Sequence, residues 1–372
     1  MKINSNKDNI MFMVPDLNST GGISRYNKNI INTLKDDYKL TIISRNDKKN
    51  KYKNLKITNF GRIRNTFFKK IFFSLYSVYL VFRYKPKMIL CGHVNFSPIC
   101  YYISFIKKIN YLVLTHGIDV WKIKNKSKIK ALKKADLIIT VSRFTKEKIE
   151  KQVPNVSNKL KILPNMIDGN IFYPENKSKY LRKKHNIASN DKVLLYVGRL
   201  DEKEKGIYTT INAFKKVLKK IPNIKLIIVG HGKYLRYMRK YVKDKNIKNK
   251  VILTGFVNSI DRLREYYNLC DIFIMPSKKE GFGIVFLEAL ACGKPVIGGI
   301  KDGSVDALQN GEVGILVDPD NEEEISNSIL NVFNKDVPDR LLDSTYLREK
   351  TLENYGISNF RNVIKKLIGE IL

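Results

Sequence analysis

The feature that most constrains this chain is a recurrence. Short apolar runs, each followed by a loop and an amphipathic segment, repeat along most of its length. The first run, "NIMFMVP" (Asn9–Pro15), ends in a turn and is followed by "DLNSTGG". Ile23, Asn27, Ile30, Ile31 and Leu34 then fall on one helical face, and "YKLTIISR" (Tyr38–Arg45) is a second run. Strand, glycine loop, helix and strand make a βαβ unit, which requires a parallel α/β sheet. "KMILCG", "NYLVLTHG", "DLIITVS" and "LKILPN" predict further strands.

The polar, lysine- and asparagine-rich stretch "IFYPENKSKYLRKKHNIASNDK" interrupts the pattern and reads as a connection. A second series follows: "VLLYVGRL" (Val193–Leu200), a helix over Ile207–Lys220, "IKLIIVGHG", "VILTGFV", "DIFIMPS", a helix through Glu288, and "KPVIGG". It runs to about Asp318, and the tail is helical. A chain of 372 residues exceeds what one core usually organises. The expectation is a Rossmann-like domain over residues 1–170, a connection over 171–190, and a second Rossmann-like domain over 191–355. A last helix over 356–372 is expected to pack back on the first domain. Two such halves imply a cleft, where open parallel sheets bind ligands outside their strand C-termini.

The formal net charge is +34. A chain crowded with Lys, Asn and Ile is what an AT-biased genome encodes, so codon usage accounts for part of the excess. Basic surface is also drawn to anionic membrane or nucleic acid. No zinc finger or RNP-type aromatic motif is present, so no nucleic acid partner is expected. The basic, aromatic stretch "RIRNTFFKKIFFSLYSVYLVFRYKPK" (Arg62–Lys87) has two readings, a helix on an anionic membrane surface or a core-facing helix. Its twelve-residue apolar run, Ile71–Phe82, falls short of the roughly twenty residues of a membrane-spanning helix. The N-terminus lacks the apolar core of a signal peptide, and the four cysteines form no CxxC pair. A cytoplasmic protein, or one peripheral on the inner face of the plasma membrane, is the expectation.

The chemistry concentrates at strand ends. "SKKEGFGIVFLEALACGKPVIGG" (Ser277–Gly299) places Glu280 before a helix and Glu288 about one turn inside it. Gly281 and Gly283 permit close backbone approach by a ligand. The free N–H groups of Gly283, Ile284 and Val285 suit an anion. "VGRLDEKEKG" places Arg199 directly after a strand and Lys205 in the next loop, two cations able to neutralise a diphosphate. "STGG" (Ser19–Gly22) supplies a phosphate-approach loop at Gly21 and Gly22 but lacks the GxGxxG pattern of dinucleotide binding. "LTHGID" puts His116 at the end of a strand, where a ligand hydroxyl would be met.

With these residues assembled, the chain resembles the GT-B-fold retaining glycosyltransferases of glycosyltransferase family 4. "EGFGIVFLE" with "ALACGKPVIGG", "YVGRL…KG" and "GEVGILVDPD" carry the resemblance most densely. "GGISRY", "THGID", "VSRFTK" and "LPNMID" extend it more loosely through the first half. The resemblance implies two Rossmann-like doubly wound domains facing across a cleft. It implies a hexosyltransferase that uses a UDP- or GDP-sugar donor and a glycan or lipid-linked acceptor, in surface polysaccharide or glycolipid assembly. By the same resemblance Glu288 binds the ribose and Glu280 the transferred sugar. Arg199 and Lys205 hold the diphosphate with backbone at Ile284 and Val285, Gly21–Gly22 approaches the phosphates, His116 faces the sugar, and Val257 borders the base. No cofactor and no metal are expected, and "DPD" (Asp318–Asp320) reads as a turn.

Three departures stand out. Arg199 and Lys205 are six apart, one more than the commonest spacing, with Lys203 a substitute. Met166 replaces the glycine of "PNGxD", and His231–Gly232 stands where an acid is commoner. Two rivals are a GT-B nucleotide-sugar epimerase, which would need further acid/base residues, and a basic nucleic-acid-binding protein.

Overall fold

The structure is a computed structural model that describes residues 7–50, 52, 55–201 and 205–372. The chain forms two compact units. Unit 1 runs to Asn165 and includes Phe360–Leu372, and unit 2 is Met166–Asn359.

Unit 1 carries the strands β1 (Asn9–Val14), β2 (Lys39–Ser44), β3 (Ile57–Asn59), β4 (Met88–Cys91), β5 (Asn110–Thr115), β6 (Leu137–Thr140) and β7 (Leu160–Ile162). All pair in parallel, in the order β3-β2-β1-β4-β5-β6-β7. Ile10 through Val14 are wholly buried, because a parallel strand covered by helices on both faces has no solvent side. The helix Ile357–Gly369 adds Phe360, whose ring meets Tyr26 edge-on at 5.8 Å. Lys365 pairs with Asp37 at 2.7 Å, and Asn110 Nδ2 donates to the Ile371 carbonyl at 2.7 Å.

Unit 2 carries β8 (Lys192–Val197), β9 (Ile224–Val229), β10 (Val251–Gly255), β11 (Ile272–Met275), β12 (Val296–Gly299) and β13 (Ile315–Val317), in the order β10-β9-β8-β11-β12-β13. In each sheet the winding reverses beside the first strand, between β1 and β4 and between β8 and β11. Ligands of doubly wound sheets bind at the strand C-termini of such a reversal.

One expectation needs correction. Residues 171–190 are part of unit 2 and not a connection. Phe172 and Leu181 are buried, the Asn268 side chain donates to the Tyr173 carbonyl at 3.0 Å and accepts from Glu175 N at 2.8 Å, and Ser178 Oγ donates to Glu265 at 2.9 Å. These anchors and the Lys177–Asp271 ion pair decide the placement, while Lys179, Lys183 and Lys184 face water. The helix Thr66–Tyr84, capped by Asn65, faces the core along one side only. It buries Phe73, Ser77, Leu80 and Val81 while exposing Phe67, Phe68, Phe72, Leu75 and Tyr79. Among the described residues no helix is long and apolar enough to cross a membrane.

Candidate functional site

In unit 2 the predicted donor residues lie at the C-terminal edge of the sheet, around the β8/β11 reversal. Arg199 follows β8 and is exposed. The turn beside it is dense: a Cβ on Gly230 would stand 1.9 Å from the Gly198 carbonyl oxygen, and one on Gly232 would stand 2.4 Å from the Leu200 carbonyl carbon. The loop after β9 thus seats on the backbone around Arg199, with Leu200 N donating to the His231 carbonyl at 3.0 Å; nothing in the structure explains the histidine in place of an acid.

Lys205 is 8% exposed despite its charge. Residues 202–204 precede it, so Lys203 lies outside the described residues. The Lys205 carbonyl accepts from the buried Tyr196 hydroxyl at 3.2 Å. Gly206 has φ +74°, and a Cβ there would stand 1.9 Å from the Pro276 carbonyl oxygen, so this loop is pressed against the end of β11. The Lys205 ammonium is ion-paired with Glu280 on the loop after β11. A lysine is buried only where its charge is met, and the partner is the acid that the sequence singles out for the transferred sugar.

The Glu280 loop is anchored from below by Asp302. That carboxylate is 1% exposed and accepts from Glu280 N at 2.7 Å and Ser304 N at 2.9 Å, and burial pushes its pKa up to about 6. Gly283 then opens the helix Ile284–Ala291 with φ +93°. No side chain caps this helix, and Ile284 and Val285 are half-buried, so its first N–H groups form the kind of positive end that attracts anions. Glu288, one turn in, is 1% exposed, and the Tyr267 hydroxyl donates to its Oε2 at 2.6 Å. Its carboxylate is therefore sheltered and not open to solvent. Val257 follows β10 on the same sheet edge, beside the exposed Phe256.

Asp318 and Asp320 form the expected turn. Asp320 N donates to Asp318 Oδ1 at 2.9 Å, and Lys301 reaches both carboxylates at 2.6 and 3.0 Å. Hydrogen bonds from Lys301 to Asp318, and from Lys278 and Lys301 to Asp320, hold both acids below the usual carboxylate range.

Unit 1 carries the remaining predicted residues. A Cβ on Gly22 meets nothing within 4 Å, and one on Gly21 meets only Ser19 Oγ at 3.9 Å. Neither glycine has the positive φ that demands one. The backbone there is simply left open, at the uncapped start of the helix Gly22–Leu34. The preceding loop is held by Asp47, which accepts from Leu17 N at 2.7 Å and Asn18 N at 3.1 Å. His116 ends β5. Its Nε2 lies 2.9 Å from the Gly92 carbonyl, so that nitrogen carries the proton and Nδ1 is the acceptor. Burial pushes its pKa down to about 4, leaving a neutral ring at physiological pH. Its backbone N–H donates to Asp119 Oδ1 at 3.0 Å, and burial pushes that carboxyl up to about 7.

The structure thus joins Lys205 to Glu280 and sets Gly283, Ile284 and Val285 beside them in the chain. It places Arg199 and Val257 on the same sheet edge, shelters Glu288, and puts Gly21, Gly22 and His116 in unit 1. Sequence reasoning missed Asp302, Tyr267, Tyr196 and Asp47. Asp302 had a faint signal, an acid beside Gly303 after the apolar β12.

The model of "Glycosyl transferases group 1" matches residues 177–347, and that of "Glycosyltransferase Family 4" matches residues 20–170. The chain is 31% identical over 242 residues to an uncharacterized glycosyltransferase of Methanocaldococcus jannaschii, covering 62% of this chain and 58% of that protein. It is 30% identical over 206 residues to the GDP-mannose-dependent α-(1-6)-phosphatidylinositol monomannoside mannosyltransferase of Mycobacterium tuberculosis, covering 53% of this chain and 52% of that protein. The chain therefore spans a little over half the length of these relatives. Its structure is similar to that of Anabaena HepE in complex with UDP and glucose, with a TM-score of 0.81 at 18% identity over 97% of this chain and 99% of that one. At that identity the likeness shows the shared GT-B-type fold.

Proposed function

The chain belongs to the glycosyltransferases of family 4, and from that premise we propose that it moves a hexose from a UDP- or GDP-sugar to a glycan or lipid-linked acceptor with retention of configuration. The observation that carries the proposal is the buried Lys205–Glu280 pair beside the uncapped start of Ile284–Ala291, at the sheet's reversal. Breaking a sugar–diphosphate bond leaves a multiply charged anion and builds positive charge on the ring. A fixed ammonium, the Arg199 guanidinium and open helix N–H groups suit the first; the Glu280 carboxylate suits the second. Losing one such preorganised donor typically raises the barrier by about 3–4 kcal/mol.

In this reading the bond from C1 to the diphosphate oxygen breaks as the acceptor oxygen bonds to C1 on the same face. The hydroxyl proton passes to the departing phosphate, so no second catalytic carboxylate and no metal is required. Glu288, oriented by Tyr267, takes the ribose hydroxyls, and Val257 borders the base. In unit 1 the His116 Nδ1 accepts a sugar hydroxyl, and the open backbone at Gly21–Gly22 receives phosphate. The lipid-linked acceptor is supported by the mycobacterial relative, whose name specifies a phosphatidylinositol mannoside. Surface polysaccharide or glycolipid assembly follows as the setting.

The test is nucleoside diphosphate release from a panel of UDP- and GDP-sugars, with the product's anomeric configuration read by proton NMR. Transfer with retention is expected, and Arg199→Ala should abolish it with the melting temperature unchanged. An inverted product, or near-normal turnover by Arg199→Ala, would overturn this reading.

A further inference from the structure

Unit 1 holds a second concentration of positive charge, away from the residues named above. A cavity of about 460 Å³ opens where the ends of β2 and β4 and the start of the helix Lys126–Lys134 meet the helix Thr66–Tyr84. Arg45, Lys70 and Lys128 line it together with Ser74, Asn95 and Asn125, and among the described residues no carboxylate lines it. None of the three cations is in an ion pair among the described residues. Arg45 Nε is buried with no hydrogen-bond partner there, and Lys128 reaches only the Asn95 side chain. The positive field is felt nearby: the His93 imidazole is pushed down to about 3 by burial first, then by His116, Lys128 and Arg45. A buried guanidinium nitrogen left unsatisfied is unfavourable unless an anion meets it. Three cations, two amides and a hydroxyl match the acceptor-only oxygens of a phosphate group.

The carrier of that phosphate is indicated by the rest of the same helix. Lys70 and Ser74 face the cavity, whereas the outward side presents Phe67 at 65%, Phe72 at 50%, Leu75 at 63% and Phe82 at 52% exposed. On the helix's other flank an apolar hollow of about 450 Å³ is lined by Phe60, Ile63, Phe72, Leu75, Tyr76 and Tyr79. The neighbouring helix Ser97–Lys107 extends the face with Phe105 and Ile106, at 75% and 66% exposed, and Lys107 Nζ sits 3.5 Å over the Phe82 ring. Arg62 and Arg64 precede this surface, and Arg83, Lys85 and Lys87 follow it. An apolar face of this extent rimmed by cations is complementary to hydrocarbon beneath a layer of phosphates.

We propose that the Arg45–Lys70–Lys128 cavity takes the phosphate of an anionic membrane lipid while the exposed aromatic face of Thr66–Tyr84 enters the bilayer boundary beside it. The site needs no donor, so it stands or falls apart from the transferase reading.

The experiment is co-sedimentation of the full chain, without nucleotide-sugar, with phosphatidylcholine vesicles that contain or lack phosphatidylglycerol. The wild type should prefer the mixed vesicles. Arg45→Gln/Lys128→Gln should weaken that binding by roughly thirtyfold, about fivefold for each basic side chain near an anionic surface. The exposed pair Lys151→Gln/Lys161→Gln, which removes the same charge elsewhere on unit 1, should weaken it far less. Phe72→Ser/Leu75→Ser should lose binding to both vesicles while keeping the wild-type melting temperature. Equal losses in the two lysine-containing double variants would reduce the effect to net charge and overturn the cavity. Indifference of the wild type to phosphatidylglycerol, or wild-type binding by the Phe72/Leu75 variant, would overturn it too. A melting temperature raised by glycerol 3-phosphate in a protein that ignores vesicles would assign the cavity to a free phosphate ester and overturn the lipid.

Discussion

Replacing Lys205 by Met separates the structural from the chemical part of the donor site. The substitution keeps most of the side-chain volume and removes the ammonium, leaving Glu280 without its counter-charge. Breaking one side of a buried ion pair costs about 3–5 kcal/mol. The Glu280 side chain is 22% exposed and the Lys205 side chain 10%, so the low end, about 3 kcal/mol, applies. In a unit of this size each kcal/mol moves the melting temperature by about 2–4 °C, so a fall of roughly 6–12 °C is expected. Lys205→Met/Glu280→Gln removes the stranded charge and should recover most of that loss. Turnover should not follow. Without the fixed cation the departing diphosphate loses about 3–4 kcal/mol of stabilisation, a 10²–10³-fold drop in kcat, in the double variant as in the single. Calorimetric melting and nucleoside diphosphate release measure the two quantities on the same preparations. A double variant that regains turnover together with stability would show that Lys205 merely neutralises Glu280.

Three further outcomes follow from particular residues. Gly283→Ala places a Cβ 2.4 Å from the Phe286 ring in left-handed backbone; a destabilisation of at least about 1–2 kcal/mol is expected by denaturant unfolding, with weaker donor binding, and wild-type stability would contradict the helix start described above. Tyr267→Phe removes the 2.6 Å donor to Glu288; a loss of about 1.5–3 kcal/mol and a raised donor KM are expected, and Glu288→Ala should raise KM as well, an unchanged value ruling against ribose binding. His116 is held neutral down to about pH 4, below its unfolded value near 6.5. Its contribution is therefore present above pH 6.5 and lost as pH falls, amounting to about 2 kcal/mol between pH 6.5 and 5 at 1.36 kcal/mol per unit. Asp119 and Asp302, raised to about 7 and about 6, act in the opposite sense, so the measurement is the difference between wild type and His116→Asn. The acid limb should be flatter in His116→Asn, so the difference should narrow by about 2 kcal/mol from pH 6.5 to 5, and parallel stability curves would refute it.

The parts of the fold legible in the sequence are those set by local pattern. Apolar runs that stop at a proline place β1 and β11, one that stops at a glycine places β8, and strand ends place Arg199, His116 and Glu280, because parallel sheets present chemistry where strands stop. What was not legible depends on distant contacts. The Lys205–Glu280 pair joins residues 75 positions apart, and Asp302 and Tyr267 are ordinary-looking side chains until the fold brings them under the Glu280 loop and against Glu288. The short edge strands β3 and β13 are three residues each, too brief for periodicity to register. The helix Thr66–Tyr84 is apolar nearly all round, so its sequence cannot say which side is covered. Residues 171–190 misled for the converse reason, since Phe172, Leu181 and Ser178 anchor a stretch whose composition is that of a linker.

The account rests on a diphosphate gripped by Lys205, Arg199 and the open end of Ile284–Ala291. Isothermal titration of the wild type and Lys205→Met with UDP, UMP, GDP and GMP tests this directly. The wild type should bind one of the diphosphates far more tightly than its monophosphate, and the variant should lose most of that difference while its monophosphate affinity is retained. Equal affinity of the wild type for mono- and diphosphates, or a preference that survives unchanged in Lys205→Met, would contradict it.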